Sequence, residues 1–466
     1  MKRLFYTLLF FLPCMLIACG GSDDTPDGDN NPPVVAPPSE EPVDSRLLYN
    51  GIRLPEQWPP VRSSSSELEK GMSPFYLSDK PSVINISVGR QLFVDNFLIE
   101  STNLKRTFYY PEYYSGNPIL TPEQDWEKTG TKGAAFAAPF SDGVWYDEKE
   151  GKYKMWYMAG GGSYATSGAG VTCYAESTDG IHWTKPTLSI VAGTNIVDYN
   201  SERDASVIWL DKQESNASKR YKMFLVARES GKWRYHYKTS PDGKVWRAAV
   251  QSEPIADRST VYKNPFRNVW VYSMRHNVRV DANKLVRARD YNENTDPEAG
   301  TKKAEALLSA FWFGPWANEQ RHTDYPNIAP AIYNQDATPY ESIMLGFFSV
   351  WQGPENDVCA SDNVIKRNQV MVGYSRDGYS WFREDMNPFH AVNTTTSDAW
   401  NQGNLQSVAG APLIVGDKLY FYLSGRRLRG TQEITTTGLA TLRRDGFASM
   451  KGTGELQTPL LKFDGS

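Results

Sequence analysis

Ser177-Thr178-Asp179-Gly180-Ile181-His182-Trp183, Ser240-Pro241-Asp242-Gly243-Lys244-Val245-Trp246 and Ser375-Arg376-Asp377-Gly378-Tyr379-Ser380-Trp381 are copies of one short pattern. A decayed copy is Arg443-Arg444-Asp445-Gly446-Phe447. Asp-Gly favours a tight turn, because Gly takes a positive φ without steric cost. The Trp three residues after the Gly is expected to fold back as a core plug. The aspartates are 63, 135 and 68 residues apart. The middle gap is nearly twice the others, so one copy near residue 310 is missing or degenerate. The repeat is then about 67 residues long, and five repeats fill roughly residues 130–450.

Strand signals recur in the same order within the repeats. In one they run Asp204 to Leu210, Arg220 to Val226 and Trp233 to Lys238, followed by the Asp-Gly turn and a short fourth strand. The preceding repeat matches with Gly143 to Asp147, Tyr153 to Met158 and Val171 to Glu176, and the last with Ala411 to Val415 and Lys418 to Leu423. Four strands repeated five times describe an all-β fold: a five-bladed β-propeller of four-stranded antiparallel blades around a channel. No long amphipathic helix is evident. The stretch Asp290 to Leu308 has room for one or two helical turns in an inserted loop.

Composition narrows the function. Apolar residues make up 40% and charged residues 22%, enough for a core and too balanced for global disorder. The net charge of -4 argues against a nucleic-acid binder. Aromatics reach 13%, with 14 Trp and 26 Tyr, a surplus that suits stacking on flat polar ligands such as sugars. Only 5 His are present, which disfavours a multi-histidine metal centre. Beyond the N-terminal segment only Cys173 and Cys359 remain, too few for a disulfide scaffold.

The N-terminus reads as an address. Lys2 and Arg3 precede an apolar stretch over residues 4–18, too short for a permanent membrane span. It ends in Leu16-Ile17-Ala18-Cys19, which resembles a bacterial lipobox and implies lipidation of Cys19. The expected organisation is a signal peptide (1–18), a disordered tether (19–46), an extension packing on the propeller (47–129), the propeller (130–450), and a C-terminal tail (451–466) able to lead into a further β-sandwich. The implied location is the bacterial outer membrane, periplasmic or surface-facing, with a lipid anchor and a monomeric chain.

Several stretches carry a resemblance: Gln91 to Glu100, Ala138-Pro139-Phe140-Ser141-Asp142-Gly143-Val144-Trp145-Tyr146-Asp147, Lys154-Met155-Trp156-Tyr157, Asp257-Arg258-Ser259-Thr260-Val261, Asn264-Pro265-Phe266-Arg267 and Trp400-Asn401-Gln402-Gly403-Asn404-Leu405-Gln406-Ser407. Over about residues 88–466 the chain resembles the five-bladed propeller glycosidases of the arabinanase, levansucrase and invertase superfamily, and more narrowly a group of secreted bacterial glycosyl hydrolases. The resemblance implies hydrolysis of glycosidic bonds in plant or algal polysaccharides by two carboxyl groups flanking the bond. It also implies acids at the starts of innermost strands. Asp204, within Arg203-Asp204-Ala205, looks like the Arg-Asp-Pro pattern of the superfamily with Ala205 in place of Pro. Asp257 precedes Arg258, and Glu341 heads the apolar run Ser342 to Gly346. These three are the expected catalytic acids, with Asp142, Asp324 and Glu355 behind them.

Substrate contacts are expected from Arg203, Arg258, Arg275, His276, Trp351, Trp400, Asn404, Gln406 and Arg426. Arginines at one mouth suit an anionic glycan. No cofactor is expected. Some propeller glycosidases hold a structural calcium, but no residues here identify themselves as its ligands. The alternative reading is a non-catalytic glycan-binding lipoprotein on the same scaffold, since fold does not fix activity.

Overall fold

A computed structural model describes residues 44–128, 134–165, 170–280, 284–306, 308–396 and 398–464. The expected signal peptide, Cys19 and nearly all of the tether lie outside the described residues. The N-terminal extension carries short strands β1 (Val83–Asn85), β2 (Ser101–Thr102), β3 (Lys105–Phe108) and β4 (Glu112–Tyr113). From there the chain is all-β, laid down in consecutive antiparallel groups.

The first group contains β5 (Ala135–Ala138), β6 (Val144–Asp147), β7 (Lys152–Ala159) and β8 (Gly170–Ser177). The long strand β9 (Ile196–Leu210) pairs with β8 through its first half and with β10 (Tyr221–Glu229) through its second. One strand thus leaves the first group at its outer edge and enters the next at its inner edge. That next group continues with β11 (Lys232–Ser240) and β12 (Arg247–Gln251). Another follows: β13 (Thr260–Asn264), β14 (Val269–Arg279), β15 (Leu285–Asn294) and β16 (Ala310–Phe313). Then come β17 (Ala331–Tyr340), β18 (Ile343–Gly353) and β19 (Arg367–Ser375), bridged at the outer edge by Phe382 and His390. The last comprises β20 (Asn404–Val408), β21 (Leu413–Val415), β22 (Lys418–Arg429) and β23 (Gln432–Arg443).

The groups close into a ring of propeller type. β23 pairs antiparallel with β4, bridges to Leu120, and pairs in parallel with β5. The N-terminal extension therefore supplies outer pairing to the last group. The remaining strands, β24 (Ala448–Lys451), β25 (Leu456–Gln457) and β26 (Leu460–Lys462), pair with β3, β2 and β1. The C-terminal tail, read above as able to lead into a further β-sandwich, is woven into the extension over these residues. The extension is also pinned from below. Arg376 donates to both Asp95 carboxylate oxygens at 2.8–3.1 Å and to the Leu92 carbonyl at 2.8 Å, with both side chains buried.

The repeated Ser-x-Asp-Gly pattern latches neighbouring groups together. In each full copy the Ser hydroxyl accepts from the Gly N–H at 2.8–2.9 Å, and one Asp oxygen accepts from the two N–H groups after the Gly. The Gly carbonyl then accepts from an aromatic of the adjacent group: Tyr422 Oη to Gly180 at 2.8 Å, Trp156 Nε1 to Gly243 at 2.6 Å, Tyr262 Oη to Gly378 at 3.1 Å. Gly is required twice over at position 243: φ is 77°, and a Cβ would sit 2.3 Å from the Trp156 ring. The expected plug role is corrected in part. Trp381 is fully buried, but Trp183 and Trp246 are only half-buried. Where β15 should lead into another copy, the helix Pro297–Lys303 takes its place, with Tyr272 Oη donating to the Pro297 carbonyl at 2.7 Å. At the position corresponding to Trp156 and Tyr422, the preceding group carries Phe224, which has no polar hydrogen to donate to a turn. Asp242→Ala is expected to cost about 1–2 kcal/mol, as loss of an N-cap-like acceptor does. Denaturant unfolding reads that cost, and glycan binding should not change.

Candidate functional site

The inner strands start at one end of the channel, and polar side chains meet there. Asn334 of β17 donates to Ser141 Oγ at 3.2 Å, Ser407 Oγ at 3.0 Å and Asp336 Oδ2 at 2.9 Å. Three inner segments are thereby tied across the channel. The backbone is unusual at this end: Phe140, Arg258 and Ser407 have φ of 45°, 53° and 68°. Such conformations persist only where the surroundings hold them, and they cluster at functional sites.

Asp204 lies inside β9, where the strand passes between groups, and forms a forked contact with the residue opposite. Arg258 Nη2 is 2.8 Å from Asp204 Oδ1, and the Arg258 backbone N–H donates to Oδ2 at 3.1 Å. Asp142 pairs with Arg203 at 2.7 Å and is 0% exposed, so burial pushes its carboxyl up despite the guanidinium. Asp257 is held by Arg275. The expected residues Arg203, Asp204, Asp257, Arg258 and Arg275 are therefore brought together. Asn404 and Arg426 face each other in the β20–β22 register at the same end, and Arg426 lies 5.9 Å over the Phe136 ring. Gln406 is buried on β20, and its Nε2 has no partner among the described residues.

Glu341 is not among them. It sits in the turn between β17 and β18, at the far end of the inner strands, where it pairs with Arg90 at 2.7 Å. It lines a cavity there with Trp145, Trp209 and Pro412. The reason is register. The apolar run after Glu341 is the second strand of its group, and the inner strand is the preceding segment, Ala331–Tyr340. Trp400 is also corrected: it is buried in the core and packed so closely over two glycines that a Cβ on Gly425 or Gly438 would lie 2.3 or 2.1 Å from its ring. His276 alternates with Arg275 along β14 and so projects from the opposite face, where its Nδ1 meets Asp290 Oδ2 at 2.9 Å. That hydrogen bond holds its pKa above the usual histidine value. Trp351 is buried, with the Arg287 guanidinium 5.0 Å above its ring. Asp324 is exposed in a loop, and Glu355 precedes the helix Asn356–Asp362.

The inner strand β17 supplies what the sequence reading missed. Asp336 is 8% exposed, and its Oδ2 accepts from Asn334 Nδ2 at 2.9 Å and from the Val408 N–H at 3.3 Å. Burial outweighs those hydrogen bonds and pushes its carboxyl up to about 7. Tyr333, three residues earlier, stands in a bulge of the same strand. A signal for Asp336 was present. It lies 132 residues after Asp204, close to two repeat lengths. Among the described residues no group of three or more His, Cys, Asp and Glu side chains is placed to hold a metal ion.

No known protein family matches the sequence, and no curated protein matches it either. Solved structures do match in backbone. One described as a glycoside hydrolase is 14% identical, with a TM-score of 0.45 over 73% of this chain and 94% of its own. An N-acetylgalactosamine deacetylase from F. plautii is 11% identical, with a TM-score of 0.42 over 70% of this chain and 96% of its own. A fructofuranosidase from Schwanniomyces occidentalis is 11% identical, with a TM-score of 0.40 over 73% of this chain and 65% of its own.

Proposed function

We propose that this chain is a glycoside hydrolase built as a five-bladed propeller, each antiparallel group serving as one blade. Its reaction centre is the channel mouth. The observation that carries the reading is the unlike state of two carboxyl groups on inner strands: Asp336, raised by burial to about 7, and Asp204, paired with Arg258. Glycosidic cleavage needs one group to donate a proton to the leaving oxygen and a second, ionised group to act as base or nucleophile. Asp336 takes the first role and Asp204 the second. Arg258 orients the Asp204 carboxylate. The substrate is a plant or algal polysaccharide or its fragments. The chain works as a monomer, without a cofactor, held at the outer membrane by lipid on Cys19.

The test is product release from neutral, uronate-containing and sulfated polysaccharides. Asp204→Asn is expected to lower turnover by at least about a hundredfold, the scale of a lost catalytic group. A variant as active as the parent would end the assignment. A second reading, a glycan receptor without catalysis, is favoured by Asp142 being sealed at 0% exposure and by Asp257 being occupied with Arg275. Binding without release, equally strong in Asp204→Asn, would establish it.

A further inference from the structure

We propose that the channel mouth holds an anion subsite, formed by Arg258, Arg287 and Lys366 around the Tyr333 ring, that takes the carboxylate or sulfate of a charged sugar. This rests on the mouth being the carbohydrate site. The three cationic heads lie 5.9, 5.6 and 5.7 Å from the centre of the Tyr333 ring. They come from three separate places: the approach to β13, strand β15 and the segment before β19. Like charges gathered this closely repel one another, and partial burial weakens the screening that water would give. The arrangement is favourable when counter-charge is present.

The protein supplies that counter-charge only in part. Asp204 pairs with Arg258 at 2.8 Å. Among the described residues Arg287 has only the exposed Glu355 as counter-charge, at 3.9 Å, and its buried Nε has no hydrogen-bond partner among them. Among the described residues no carboxylate pairs with Lys366. Arg275 is occupied by Asp257 and feels Arg287 as a repelling neighbour. The surplus positive charge is local, since the whole chain carries -4. The ring itself registers the field. Burial alone would raise the Tyr333 phenol, yet Lys366, Arg258 and Arg287 bring it below its ordinary value. A planar fork such as Arg287 matches a carboxylate or sulfate edge, while Lys366 acts as a point charge. Tyr333, only half-buried, offers aromatic surface beside them for the sugar ring.

The experiment is calorimetric titration of the full-length protein with three probes of equal length: a galacturonate oligosaccharide, a sulfated carrageenan oligosaccharide and a neutral arabinan oligosaccharide. At least one anionic probe is expected to bind about tenfold or more tightly than the neutral one, the scale of a charge-assisted contact, and to weaken with added salt. The carboxylate and sulfate arms tell which group the subsite takes. Lys366→Gln and Arg287→Gln should each weaken anionic binding by about tenfold at unchanged melting temperature, and Lys366→Arg should restore most of it. Equal affinity for the neutral probe, or variants that bind like the parent, would overturn the proposal. The readout involves no turnover. Anionic binding without cleavage leaves this subsite standing and removes the hydrolase reading. Cleavage of glycan by the parent, with the neutral probe bound as tightly as both anionic ones, does the reverse.

Discussion

Asp336→Asn is expected to reduce product release by about 10²–10⁴-fold, the contribution of a positioned proton donor, and at the same time to stabilise the protein at pH 8. The parent carboxyl titrates near 7 in the folded chain and near its ordinary 3.8 in the unfolded one. Between those values the folded state keeps a proton that the unfolded state has released. The stability linked to this group is fully present below pH 3.8, is lost as pH rises to about 7, and stays lost above. At about 1.4 kcal/mol per pH unit, the difference approaches ~4 kcal/mol. An Asn at 336 cannot ionise, and its amide oxygen can still accept from Asn334 and the Val408 N–H. Denaturant unfolding at pH 4.5 and pH 8 should therefore show the variant gaining far more on the parent at the higher pH. Parent turnover should fall as pH passes upward through about 7, because the donor is lost. Full activity in the variant, or a stability difference that ignores pH, would remove Asp336 from the role.

Asp95→Ala is expected to be the most damaging single change to stability away from the site. Arg376 is buried and gives three of its contacts to the Asp95 carboxylate, at 2.8, 2.9 and 3.1 Å. Removing the carboxylate leaves a guanidinium in the interior with the Leu92 backbone carbonyl as its remaining acceptor among the described residues. Stranding one partner of a buried pair costs about 3–5 kcal/mol. The pair that Glu341 makes with Arg90 is a fair contrast, because the Arg90 side chain is 42% exposed. Glu341→Gln should cost about 1 kcal/mol or less. Thermal and denaturant unfolding of the two variants side by side decides it. Equal losses would mean that Asp95 does not anchor the extension.

The same residues show how far the sequence could be read. The Ser-x-Asp-Gly copies announced the repeat because their chemistry is local: a turn, a hydroxyl, a carboxylate and a glycine. They also gave the spacing that marks Asp204 and the loops around Asp257. Asp336 was hidden by the same logic that makes it useful. An inner strand lines a polar channel, so Tyr333-Asn334-Gln335-Asp336 reads as a loop, and the uniformly buried β18 that follows reads as the inner strand instead. Glu341 was promoted by that shift of one strand. Trp400 was mistaken for a sugar platform because nothing local shows that Gly425 and Gly438, remote in sequence, leave a slot for it. Lys366 and Arg287 acquire meaning only when Tyr333 stands between them.

The ring is sealed by segments far apart in the chain: β4 lies against β23, and β24, β25 and β26 lie against β3, β2 and β1. During synthesis the first of these segments emerges long before its partners exist. It must wait, unpaired, while some three hundred residues are made (about 330 separate Tyr113 from Ala440). Contacts of such long sequence separation form slowly, so final assembly waits until β24, β25 and β26 have been made. Damage to β24, β25 or β26 would thus be felt hundreds of residues earlier, as an extension with nothing to hold.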